Sequence, residues 1–95
     1  MLNPFIAKPG ELIKGLGLDF ASRLAQGETV QSVVITPVDG LTVNATSQAG
    51  TFAMADVTVA ENQTDSTLVL LYTATGTLGS VRKGYRTILV RALSN

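Results

Sequence analysis

Cysteine, histidine and tryptophan are all absent from this chain of 95 residues, and each absence excludes a class of function. Without cysteine no disulfide scaffold can form. Without cysteine and histidine the usual zinc, haem and iron–sulfur sites cannot be built, and the commonest general base and metal ligand are missing together. What stays open is a carboxylate-only metal site or acid pair. No cofactor is implied. Only 15% of the residues are charged, seven basic and seven acidic, so the formal net charge is zero. The field that marks nucleic-acid and membrane-surface binders is therefore lacking, and neither partner is expected. Long apolar runs are lacking too: the longest, Leu68 to Tyr72, is far short of the about 20 residues of a membrane helix.

The start, MLNPFIAKPGELIK, is broken by Pro4, Lys8 and Pro9 and does not read as a signal peptide. Synthesis in a cytoplasm is the expectation. Near-zero net charge combined with 45% hydrophobic residues and a mean hydropathy of +0.31 leaves little repulsion to oppose association. Part of the surface is expected to be covered by a partner.

What is present is a rhythm of short β-rich runs separated by turn clusters, the spacing of an all-β sandwich or barrel. Leu16 to Leu24, Thr29 to Val38, Leu41 to Thr46, Thr51 to Val59, Leu68 to Thr75 and Arg82 to Leu93 read as strands. Stiff Val, Ile and Thr side chains suit a pleated surface better than a helix. One turn of helix is compatible with Phe20 to Gln26. Asp39-Gly40 predicts a type I′ hairpin turn, and Ser47 to Gly50 the turn after it. About seven short antiparallel strands in one domain over residues 15–95 point to an immunoglobulin-like β-sandwich. Residues 1–14 form an arm, in which Pro4, Pro9 and Gly10 argue against a regular strand while Leu2, Phe5, Ile6, Leu12 and Ile13 are too apolar for a solvated tail. Packing on its own sandwich and packing on a neighbouring subunit both fit.

The segment from Asp19-Phe20 through Leu24 and Gly27-Glu28-Thr29-Val30 to Ser32 resembles the opening of small immunoglobulin-like structural proteins of tailed bacteriophages, the fibre-tail adaptor or neck-type proteins. Gly40-Leu41-Thr42-Val43 and the ending Thr75-Gly76, Gly79, Arg82 and Arg86 to Ala92 are similar in outline. The chain departs from the pattern in lacking a tryptophan, and Glu61 to Ser66 replaces a double-glycine turn. The resemblance implies a virion component of the neck or tail region, present in several copies and connecting tail or head–tail parts to fibres.

Site chemistry is thin. Ser80-x-x-Lys83 lacks the companion motifs of serine acyl-enzymes, Gly15-Leu16-Gly17 is followed by no Gly-Lys-Ser/Thr, and Glu61, Asp65 and Asp56 fit no calcium-loop spacing. An enzyme is not expected. Charge is unevenly spread: Asp39, Asp56, Glu61 and Asp65 form an acidic middle without bases, and Arg82, Lys83, Arg86 and Arg91 a basic end without acids. Two solvated patches account for this, and so does a head-to-tail contact between copies.

If Leu68, Leu70, Tyr72 and Ala74 face the core, Val69 and Leu71 face outward; with Ile88, Val90 and Ala92 inward, Leu89 and Leu93 face outward. Neighbouring strands would merge these into one apolar contact patch. The candidate interface is therefore Val69, Leu71, Leu89 and Leu93, rimmed by Arg82, Arg86 and Arg91. The partners expected are further copies of the chain and other virion proteins, with no small-molecule substrate. A capsid decoration protein is the alternative of the same kind. A carbohydrate- or receptor-binding module is the alternative of another kind, disfavoured because such modules expose aromatic rings and most of the few available, Tyr72, Tyr85, Phe5, Phe20 and Phe52, are expected in the core.

Overall fold

The computed structural model describes residues 4–36 and 38–92. They form two packed sheets of seven strands and one short 3₁₀ turn. The elements are β1 (Phe5–Ala7), β2 (Leu12–Asp19), the turn η1 (Ala21–Arg23), β3 (Val30–Thr36), β4 (Leu41–Ala49), β5 (Phe52–Val59), β6 (Ser66–Gly76) and β7 (Val81–Val90). One sheet has the order β1-β7-β6-β3 and the other β2-β5-β4. This is the immunoglobulin arrangement, in which consecutive strands cross repeatedly between sheets and only β4–β5 and β6–β7 are hairpins.

Strict alternation builds the core. On β5 the inward residues are Ala53, Ala55, Val57 and Val59, and on β6 Leu68, Leu70, Tyr72 and Ala74, all buried. On β7 Ile88 and Val90 are fully buried, as the alternation predicts, while Ala92 lies beyond the strand and is exposed. Tyr72 spans the sandwich: its hydroxyl donates to the carbonyl of Leu16 on β2 at 2.5 Å. Leu16 pairs with Ala55, so the small β5 side chains leave room for the large ring. Burial pushes the Tyr72 phenol up to about 12, although the Arg86 charge nearby opposes the shift.

Four expectations are corrected. Residues Phe5–Ala7 do form a strand, and it runs parallel to β7 (Phe5↔Ile88, Ala7↔Val90), so the sandwich is not wholly antiparallel. Three residues fit between the two prolines because the pairing borrows its hydrogen bonds from β7. The first long strand begins at Leu12, ends at Asp19, and gives way to η1, the helical turn compatible with that stretch. Asp39-Gly40 is not a type I′ turn: only Gly40 has positive φ (95°), and Leu41 N–H bonds the Val38 carbonyl at 3.3 Å, the pattern of type II. It joins strands of opposite sheets rather than hydrogen-bonded neighbours. Finally, β4 continues through Ala49, and its hairpin with β5 turns on Gly50-Thr51, with Gly50 at φ 58°, where a side chain would be strained.

Candidate functional site

The candidate surface is the outward side of the β1-β7-β6-β3 sheet. Register places Ile6 beside Leu89, Leu89 beside Thr67, Val69 beside Thr87, Leu71 beside Tyr85, and Val34 beside Thr73. Ile6, Val34 and Tyr85 are 64%, 64% and 63% exposed, and Val69 46%. Threonine fills most of the remaining outward positions. Lys83 is the only charged side chain on the outward face of these strands, and no acid occurs there.

The structure brings Val69, Leu71 and Leu89 together on this face, the latter two half-buried by their neighbours. Leu93 lies outside the described residues. The three arginines do not form its rim. Arg86 has the same parity as Ile88 and Val90 and points between the sheets, where its Nη1 donates to the Gly17 carbonyl at 2.6 Å. Its buried Nε has no hydrogen-bond partner. Arg82 shares that parity but stands exposed at the open end of the sandwich. Arg91 lies past the end of β7, with its N–H on the Ala7 carbonyl at 3.0 Å and its Nη1 on the Val90 carbonyl. Sequence reasoning missed Ile6, Val34, Val81 and Tyr85 as members of the face. Alternation alone would have placed Tyr85 there, since it is two residues from Thr87 and four from Leu89.

Charge separates along the long axis, which extends 44 Å. Arg23, Arg82 and Lys83 lie at the end that holds the β6–β7 turn, where Thr75 pairs with Val81; the acids Asp19 and Glu28 lie there too, each held in hydrogen bonds. Glu11, Asp39, Glu61 and Asp65 lie at the other end, together with Lys8 and Arg91; there Gly10 N–H bonds the Val59 carbonyl and Ala60 N–H the Gly40 carbonyl. Asp56 is excluded from this group, being engaged mid-strand by Gly15 N–H at 2.9 Å. Asp65 accepts Ala92 N–H at 2.6 Å. Among the described residues no three acidic side chains gather as a metal site.

Glu28, 3% exposed, is the one buried charged residue among those described. It belongs to the Gly27-Glu28-Thr29 motif noted above, and its role is structural. One carboxylate oxygen accepts Ala25 N–H at 3.0 Å, and the other accepts Leu78 N–H at 2.9 Å and Ser80 N–H at 3.1 Å. It thereby pins the β2–β3 connection to the β6–β7 turn. Gly76 is required beneath it, because a Cβ there would overlap the carboxylate. These bonds, that of Ala25 foremost and against the opposing effect of burial, hold the Glu28 carboxyl down at about 2 from its ordinary 4.5. A lowered carboxyl pKa stabilises the fold fully above the unfolded value, and the contribution is lost as pH falls from about 4.5 towards 2. Thermal unfolding followed against pH is expected to show this loss. Glu28→Gln should lower the melting temperature at neutral pH and flatten the acid slope, leaving a smaller slope from Asp19, whose carboxyl is lowered by the Thr51 hydroxyl and Ala21 N–H.

The expectation that most aromatics lie in the core is corrected. Only Phe20 and Tyr72 are buried; Tyr85, Phe52 (48%) and Phe5 (36%) are exposed. Phe52 and Tyr85 stand on opposite outer faces of the sandwich, because Phe52 has outward parity on β5 and Tyr85 on β7. They cannot share one stacking platform. No protein-family model matches the chain, and no curated protein matches it.

Proposed function

We propose that this chain is a non-enzymatic structural protein of a tailed-phage virion, an adhesive β-sandwich that assembles in several copies and joins tail or head–tail components to fibres. The observation that carries the reading is the outward face of β1-β7-β6-β3, apolar and threonine-rich with a single charge. An outer sheet face is ordinarily the solvated one, with polar residues alternating against the core. Here that alternation is replaced by Val, Leu, Ile and Tyr, which suits burial against a partner. The placement in a phage particle rests on the sequence resemblance.

Geometry sets the strength of such a contact. Strands of three, seven, eleven and ten residues (β1, β3, β6 and β7), about 4.8 Å apart with a rise of about 3.4 Å per residue, present roughly 500 Å² of face. A standard stable interface buries about 800 Å² on each partner. One face-to-face contact is thus on the weak side, and repeated contacts in a closed assembly raise the effective affinity without new chemistry. The separation of basic and acidic ends supplies a direction for head-to-tail assembly.

The test is mass spectrometry of purified particles from a lysate in which the chain is expressed with its phage. Several copies per particle are expected. Absence of the chain from particles, with the protein abundant in the remaining lysate, would overturn the reading.

A further inference from the structure

β1 is short, and that leaves a gap. Its residues pair with Ile88–Val90 only, and among the described residues no strand lies beside β7 further upstream. Hydrogen-bond parity identifies the backbone groups facing that gap. Arg91 N–H bonds Ala7 on the β1 side, while the Ser80 carbonyl accepts Gly76 N–H on the β6 side. Odd-numbered residues of β7 therefore turn their backbone groups away from β6, and even-numbered residues turn theirs towards it. The Lys83 carbonyl is taken by the Arg23 guanidinium. Both backbone groups of Tyr85 and the N–H of Thr87 face the open edge.

A cleft of about 660 Å³ opens beside this edge, lined among others by Leu18, Asp19, Arg23, Lys83 and Arg86. Its charge is mostly positive. The one acid, Asp19, already accepts the Thr51 hydroxyl at 2.7 Å and Ala21 N–H at 2.9 Å. Arg86 brings to it a guanidinium whose Nε has no partner.

We propose that the β7 edge over Lys83–Thr87 is a strand-addition site for an extended acidic segment of a partner protein. The segment would continue the sheet by pairing with Tyr85 and Thr87, and its carboxylates would meet Arg23, Lys83 and Arg86. A second copy does not supply this chemistry through its own edge strands: β3 and β4 contain no charged residue, and β2 carries only Lys14 and Asp19, whose carboxylate is already engaged. The site uses the backbone edge of β7, whereas the apolar face is the surface of the sheet; the Lys83 and Tyr85 side chains belong to both.

The experiment is an NMR titration of the whole protein with a short peptide alternating glutamate and valine, against a control alternating lysine and valine. Expected are shifts of the Tyr85 and Thr87 amides with the acidic peptide alone. Lys83→Glu should weaken that binding about tenfold. Tyr85→Pro, which removes an edge N–H and no β6 bond, should abolish it; if that variant does not fold, Lys83→Glu decides. Equal binding of both peptides, shifts confined to other strands, or Lys83→Glu without effect would overturn the proposal.

Discussion

Leu70→Asp is expected to leave the chain unfolded, whereas Leu71→Asp, one residue further on, is expected to leave it folded and unable to assemble. Leu70 is 0% exposed in the middle of β6, and an aspartate there would bury an unpaired charge in an apolar core. Such a substitution costs more than the about 5–15 kcal/mol by which a domain of this kind is stable, or forces the group to remain protonated. Leu71 lies on the other side of the same strand, beside Tyr85 and Thr36, half-open to water. A charge at that position costs the fold on the order of 1 kcal/mol. It would nonetheless sit in the centre of the proposed contact, where burying it on assembly leaves it without a partner. A loss of about a hundredfold or more in self-association is expected, because an uncompensated buried charge costs about 3–5 kcal/mol. Circular dichroism separates the two outcomes from each other. Folded Leu70→Asp together with unfolded Leu71→Asp would mean that the faces are inverted.

Tyr72→Ala is the second large effect. The ring is fully buried and its hydroxyl crosses from one sheet to the other to reach Leu16. Truncation leaves a cavity between the sheets, for which about 3–5 kcal/mol is the usual cost. Tyr72→Phe isolates the polar part: it keeps the ring and leaves the Leu16 carbonyl without its donor, at about 1–3 kcal/mol. Alkaline titration adds an independent check. The phenol is raised to about 12 from 10.0, so its contribution is complete below pH 10 and is lost as pH rises towards 12. Wild type should therefore lose stability over that window, and Tyr72→Phe should lose less. Chemical denaturation at a series of pH values measures both quantities.

The parts of this fold that were legible from sequence are those that local chemistry dictates. Period-two alternation in β6 and β7 identified Leu68, Leu70, Tyr72, Ile88 and Val90 as inward, because a strand buried on one face must alternate. β1 was hidden for a physical reason: three residues carry no periodicity, and a parallel pairing takes its partner from the far end of the chain. Asp39-Gly40 has hairpin chemistry yet joins strands of different sheets, since a dipeptide specifies a bend and not which strands pair after it. Arg86 was misplaced despite readable parity. A long cationic side chain can lie inward when its stem packs and its head finds a carbonyl, here that of Gly17. Glu28 was visible as a motif residue but not as a staple, because its donors Leu78 and Ser80 are distant in sequence.

Sedimentation velocity over a concentration series shows whether the outward face of the β1-β7-β6-β3 sheet is an assembly surface. Wild type is expected to pass from monomer to a discrete larger species as concentration rises, while folded Leu71→Asp stays monomeric throughout. A wild-type protein that remains monomeric at the highest concentration, or an oligomer that Leu71→Asp leaves unchanged, would contradict that role.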